Sequence, residues 1–87
     1  VSKVIRNWLL IGKIHAVLHE TDDAISAYEE ALELQLNILT NDHLDLAETY
    51  SILGNLYIQI NQMDEAQTNF LQCFHIRMKR LSPDHPE

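Results

Sequence analysis

The chain has 87 residues, 46% of them apolar, and a formal net charge of −7. This length allows one small domain, and the apolar content favours a folded chain over a disordered one. Residues 20–65 contain eleven acidic residues and no lysine or arginine. Such a surface argues against nucleic acid and anionic membranes as partners, because both are bound through positive fields.

Two further features bear on the compartment. Cys73 is the only cysteine, so the chain cannot form an internal disulfide, which favours a reducing compartment. No apolar run approaches the ~18 residues that a membrane-spanning helix needs. We therefore expect a cytoplasmic protein that makes no contact with membranes.

Four helices are predicted in chain order, and no segment shows the alternation typical of a strand. Thr21 and Asp42 are the predicted N-caps of the second and third helices, since their side-chain oxygens can accept from a first-turn N–H. Asn61 suits a left-handed residue at the end of the third helix. The predicted spans are about 1–18, 21–39, 43–60 and 64–81.

The first helix shows apolar or packing residues at helical spacing along one face. These positions are predicted to face the core. They are Val4, Ile5, Trp8, Ile11, Gly12, His15 and Leu18.

The chain repeats itself at an offset of 42 residues. The segment Tyr50-x2-Leu53-Gly54-x2-Tyr57, with Ala66-x3-Phe70, matches the earlier Trp8-x2-Ile11-Gly12-x2-His15, with Ala24-x3-Tyr28. The only two glycines of the chain therefore fall at one repeat position. Because glycine inside a helix costs about 1 kcal/mol relative to alanine, we predict that two helices cross closely at each glycine.

This pattern resembles the tetratricopeptide repeat, whose consensus is W-x2-L-G-x2-Y followed by A-x3-F. The 42-residue period and the Asp-His pairs at 42–43 and 84–85 are similar to the repeats of kinesin light chains. The resemblance implies an all-α solenoid of two helical-hairpin units, or four helices. It also places His19 where a glycine or asparagine usually turns the chain. The implied repeats span about 1–41 and 42–83, and 84–87 would open a following repeat.

The family resemblance further implies a non-catalytic module that binds a peptide or a partner protein in a concave groove lined by the first and third helices. Asn55 is the best single candidate for a contact, because a carboxamide both donates and accepts; the alternative is an ordinary solvated residue. The groove-facing positions implied by the family pattern are Arg6, Leu9, Lys13, Ala16, Glu48, Ser51, Asn55, Ile58 and Gln59.

No catalytic constellation is found in the sequence. His15 and His19 share a helix face at a spacing that can hold zinc, but no glutamate follows His15 to complete an H-E-x-x-H motif. We expect His15 to pack in the core. Cys73 is expected to point inward and His75 outward. We therefore expect no enzymatic activity, no cofactor and no metal.

The alternative function is self-association. The fourth helix would leave Phe74, Met78 and Leu81 partly uncovered, and an apolar patch of this kind tends to recruit a partner. The acidic middle and the basic ends of the chain also suit head-to-tail or reciprocal pairing. We predict that the isolated segment is a dimer or a higher homo-oligomer.

Overall fold

A computed structural model describes residues 2–81 of the chain, with side chains through residue 80. These residues form four α-helices joined by short connections, and no strand occurs among them. The helices are α1 (Ser2–Val17), α2 (Thr21–Ile38), α3 (Leu44–Gln59) and α4 (Met63–Leu81). The all-α fold predicted from the sequence is confirmed. None of these helices combines the length and the apolar character that crossing a bilayer requires.

The helix bounds repeat at the offset found in the sequence. Adding 42 to 2 and 17, the bounds of α1, gives 44 and 59, the bounds of α3. In the same way, α2 begins at residue 21 and α4 begins 42 residues later, at residue 63. Two equivalent helical hairpins, α1–α2 and α3–α4, therefore follow one another. The predicted opening of a following repeat at 84–87 lies outside the described residues.

The two hairpins turn in the same way. His19 and Asn61 are the two non-glycine residues with positive φ in the described chain, each at 63°. In each turn the N–H of the next residue donates to the carbonyl five residues earlier, at 2.8 Å in the first turn and 2.9 Å in the second. This is the bond of the Schellman motif. The prediction for Asn61 is confirmed, and His19 adopts a conformation that costs most residues roughly 1–2 kcal/mol.

The two helices of each hairpin pack closely where a glycine of one faces an aromatic ring of the other. A Cβ atom added to Gly12 would lie 2.8 Å from the ring of Tyr28 on α2. A Cβ added to Gly54 would lie 2.7 Å from the ring of Phe70 on α4. Both distances are shorter than real Cβ contacts allow, so the rings occupy the space that a side chain would need. The predicted role of the two glycines is confirmed.

The buried core lies along α3 and the helices on either side of it. One cluster joins α2 to α3, and a second joins α3 to α4. Leu32 packs against both clusters. The first cluster is Ala24, Ile25, Tyr28, Leu53 and Leu56. The second cluster is Leu46, Ala47, Cys73 and Ile76.

The predicted core face of α1 is only partly correct. Ile5 and Gly12 are buried, but Val4, Ile11 and Leu18 are exposed. The difference arises because α3 packs between α2 and α4, whereas α1 packs chiefly against α2. The equivalent face of α1 is therefore left without a covering helix in the described chain.

A buried hydrogen bond joins α2 to α3. The hydroxyl of Thr49 donates to Oε1 of Gln35 at 2.8 Å, and both side chains are buried. The carbonyl of Asp45 lies 3.2 Å from the same hydroxyl. Since a buried polar group without a partner is destabilising, this pair helps to fix how α2 and α3 pack.

Two further polar contacts, both exposed, join α2 to α3. One of them involves Thr21, for which the predicted N-cap role is wrong: Glu20 is the N-cap of α2, and Thr21 is the first residue of the helix. The Thr21 hydroxyl donates instead to Oε1 of Gln59, at 3.2 Å. The phenol of Tyr57 donates to the carboxylate of Glu29. Burial and this hydrogen bond raise the pKa of Tyr57, so the phenol keeps its proton.

The cap of α3 also differs from the prediction. His43, not Asp42, is the N-cap, and its Nδ1 accepts from the N–H of Asp45 at 3.0 Å. Asp42 instead accepts from the hydroxyl of Thr40 at 3.1 Å and lies 3.8 Å from Arg80. The hydrogen bond from Thr40 and the charge of Arg80 hold the pKa of Asp42 below its ordinary value.

We predict that Gly54→Ala lowers the free energy of unfolding by on the order of 1 kcal/mol, measured by urea denaturation. Alanine favours a helix by about 1 kcal/mol over glycine, but overpacking against Phe70 costs about 1–3 kcal/mol. The matched control is Gly54→Ala in a Phe70→Leu background, where the smaller side chain leaves room and the alanine should stabilise. A stabilised single variant would show that the ring moves away freely.

We predict that Thr49→Val lowers the free energy of unfolding by on the order of 1–2 kcal/mol. Valine keeps the shape of threonine but leaves the buried Gln35 carbonyl without this donor. Thr68→Val is the control, because the Thr68 hydroxyl donates to the Asp64 carbonyl at an exposed position and should change stability by less than about 0.5 kcal/mol. Equal losses in the two variants would contradict the assignment.

Candidate functional site

A groove of about 650 Å³ lies among the first three helices. Its walls come from α1 and α3, and part of its floor comes from α2, which packs against both. Residues spaced seven apart on α1 lie on one face two turns apart, which places Arg6 and Lys13 along one wall. The groove is lined by Arg6, Leu9, Leu10 and Lys13 of α1, by Tyr28, Gln35 and Ile38 of α2, and by Asp45, Glu48, Thr49 and Ile52 of α3, among others.

The two walls carry opposite charge. Arg6 and Lys13 on α1 are exposed bases, and Asp45 and Glu48 on α3 are exposed acids. Apolar side chains lie between them, with Leu9 and Ile52 half-buried. A ligand in this groove would meet a positive edge, an apolar floor and a negative edge.

The Tyr28 ring belongs to both the core and the groove. It covers Gly12 on one side and contributes to the groove lining on another. Burial, followed by the nearby negative charge of Glu48, raises the pKa of the Tyr28 phenol. The phenol is therefore neutral at physiological pH, and it can offer a hydrogen bond without adding charge.

Four of the predicted groove residues lie together. Arg6, Leu9, Lys13 and Glu48 all line the groove. The structure brings them together because α2 holds α1 and α3 in place on either side of the cleft.

The other five predicted residues do not line this groove. Ala16 packs against the core cluster between α2 and α3, and Ser51 is half-buried. Asn55, Ile58 and Gln59 are exposed on the later turns of α3. Asn55 lies seven residues after Glu48, which corresponds to roughly 10 Å further along the helix axis. Its role as a contact stays a prediction for a ligand that extends past the groove.

The contribution of α2 to the groove was missed. The family pattern assigns the groove to the first helix of each hairpin and therefore omits three lining residues of α2, which are Tyr28, Gln35 and Leu39. Gln35 carried one signal in the sequence. It lies three and four residues after Leu32 and Ala31, so it is a polar residue on an apolar helix face.

Potential metal ligands meet at the first turn. Ligand atoms of His15, Glu20 and Asp23 lie within 4.8 Å of one another. His15 is half-buried rather than packed in the core, and its Nδ1 lies 2.6 Å from Oε1 of Glu20. This contact links the end of α1 to the start of α2. Cys73 is buried and His75 is exposed, as predicted.

We predict that the protein, dialysed against zinc and then against buffer, retains no stoichiometric zinc by elemental analysis. Structural zinc sites in proteins take four ligands, mostly cysteine and histidine, whereas the first turn brings together one histidine and two exposed carboxylates. Asp23→Asn serves as the control. A full equivalent of zinc in the wild type that is lost in this variant would overturn the prediction.

The comparisons with known proteins agree with this architecture. The family described as tetratricopeptide repeat matches residues 4–86, which is nearly the whole chain. No curated protein and no solved structure gives a significant match. The family match is consistent with the kinesin-light-chain-like subtype suggested by the 42-residue period. With two equivalent hairpins that each cross at a glycine beneath an aromatic ring, the chain belongs to the tetratricopeptide-repeat family.

Proposed function

We propose that the chain binds an extended peptide segment of a partner protein in the groove among α1, α2 and α3, without catalysis. Tetratricopeptide repeats are in general protein–protein interaction modules. The observation that carries the proposal is the groove itself, which combines an apolar floor with charged walls of opposite sign. Such a lining can hold an apolar anchor while charged groups set orientation and selectivity.

The charges on the walls favour one pattern in the ligand. Successive side chains of an extended peptide point to opposite sides. A segment lying along the groove would therefore direct alternate side chains toward α1 and α3. Acidic side chains suit the wall of Arg6 and Lys13, and basic side chains suit the wall of Asp45 and Glu48. An apolar side chain directed toward α1 would contact Leu9, which lies between Arg6 and Lys13 along that helix.

We predict that Lys13→Glu weakens partner binding by about tenfold, because the variant reverses one charge on the α1 wall. Lys79→Glu is the matched control: it makes the same change on an exposed residue of α4 outside the groove lining. Partners would first be captured on the wild-type protein and identified. The purified binding segment of the partner would then be titrated against each variant by calorimetry.

The same titrations test Asn55→Ala, with Asn37→Ala as an exposed control on α2. We expect loss of affinity at Asn55 for a segment that continues along α3, with helicity unchanged by circular dichroism. Equal binding by wild type, Lys13→Glu and Asn55→Ala would reject the groove as the binding site.

Self-association is the second candidate function. Phe74 and Met78 on α4 are large apolar side chains that are half or more exposed, which supports the expectation that this face recruits a partner. The side chain of Leu81, the third residue predicted for this face, lies outside the described residues. In this mode the surface of α4, rather than the groove, would determine the oligomeric state.

A further inference from the structure

The face of α1 that lacks a covering helix has an internal counterpart that is covered. The α1 residues Val4, Ile11, Ile14 and Leu18 are 48%, 39%, 49% and 59% exposed. Adding 42 to each number gives four residues of α3 and the turn that follows it. Of these counterparts, Leu46, Leu53 and Leu56 are 0%, 0% and 4% exposed, and Ile60 is half-buried.

The helix that helps to cover this face of α3 is α2. Leu32 of α2 packs against both buried clusters along α3. The counterpart of α2 in the second hairpin is α4, and the counterpart of Leu32 is Phe74, which is 57% exposed. Within residues 2–80, two faces therefore lack a covering helix. The face of α4 is equivalent to the α2 side of the interface between α2 and α3, and the face of α1 is equivalent to its α3 side.

We propose that a second copy of the chain docks its α4 onto α1, in the register in which α2 packs on α3. This proposal rests on the self-association function above and names its partner surface. Each residue of α4 takes the place of the residue 42 positions earlier, and each residue of α1 takes the place of the residue 42 positions later. Because the two surfaces differ, the contact is heterologous and leaves a free face at each end, so further copies can add.

The polar contacts between α2 and α3 show which residues would meet in the docked register. Asn7 of one copy takes the place of Thr49, and Arg77 of the other takes the place of Gln35; both are exposed. The guanidinium of Arg77 can donate to the carboxamide oxygen of Asn7.

The two other crossing contacts map to apolar or mixed pairs. Thr21 and Gln59 map to Met63 and Val17, which are exposed apolar residues that can pack together. Tyr57 and Glu29 map to His15 and Leu71, where no hydrogen bond would form, and His15 keeps its contact with Glu20. The exposed contacts of the template therefore become apolar or mixed, whereas its buried Ile25 maps to Gln67, so the docked interface keeps polar side chains.

The charges at one end of the docked interface are alike. Asp45 and Glu48 share the groove with Ile38, and the counterparts of these three residues are Lys3, Arg6 and Arg80. In this register Lys3 and Arg6 of one copy approach Arg80 of the other copy, which also lies 3.8 Å from Asp42 of its own chain, so three bases meet beside one acid. Salt screens exposed like charges and leaves apolar contacts in place, so the association should strengthen as salt is added. An assembly held by ion pairs would weaken instead.

The test uses two single variants of the whole chain, Ile14→Glu on the α1 face and Phe74→Asp on the α4 face. Each is measured alone and mixed one to one by sedimentation velocity over a concentration series. The wild type should form assemblies larger than a dimer as its concentration rises, and each variant alone should be a monomer. The mixture should give a dimer and nothing larger, because only one pair of intact faces remains.

Salt provides the second arm. Between ~0.1 M and ~1 M NaCl the Debye length falls from about 10 Å to about 3 Å, and the wild-type dissociation constant should fall at least about threefold. Circular dichroism establishes that both variants fold; Leu18→Glu and Phe74→Glu replace any that do not.

Three results would overturn the docking proposal: a wild type that is monomeric throughout, association that weakens with salt, or a mixture that stays monomeric. If Phe74→Asp alone prevents assembly while Ile14→Glu assembles normally, α4 pairs with α4 and the heterologous register is wrong. Neither variant alters Lys13 or Asn55, so peptide binding in the groove succeeds or fails independently of these results.

Discussion

The contact between a helical glycine and the aromatic ring of the next helix determines the geometry of each hairpin. Gly12 lies under Tyr28 and Gly54 under Phe70, at distances that leave no space for a side chain. Glycine is a poor helix former, so its presence inside α1 and α3 is explained by the close approach it allows. The approach brings the faces of paired helices together, and the rings then take part in the packing around them. Tyr28 also reaches the groove, which links the crossing to the candidate site.

The second hairpin packs on the first through α2 and α3, and this interface produces both candidate binding surfaces. It fixes the distance between α1 and α3, and the groove is the space that remains between them. The buried bond between Thr49 and Gln35 lies beside the groove and limits how the helices can slide. Because the two hairpins are equivalent, the same interface also shows which faces are left uncovered at α1 and α4. One packing arrangement therefore accounts for the groove and for the surface that suits a second copy.

Much of the fold could be predicted because the sequence repeat indicates which residues of paired helices contact each other. Two glycines at an offset of 42 residues, each followed by an aromatic residue at equal spacing, were enough to place both crossings. Helix caps were less predictable: Thr21 and Asp42 are good cap residues, but a neighbouring residue took the position at each start. Burial on α1 was overestimated, since amphipathic spacing shows which face is apolar and does not show whether a helix covers it. The part of the site on α2 depended on how three helices meet, which spacing along one helix does not contain.

The most direct test of this account is the nuclear Overhauser spectrum of the two glycines. Protons on Gly12 and Gly54 should show strong cross-peaks to the ring protons of Tyr28 and Phe70, respectively. Their Hα resonances should also be displaced by the ring currents. Both glycines should carry helical chemical shifts on their carbon atoms. Glycine protons without cross-peaks to either ring, or glycine shifts typical of a turn, would contradict the packing from which the groove and the docking surface both follow.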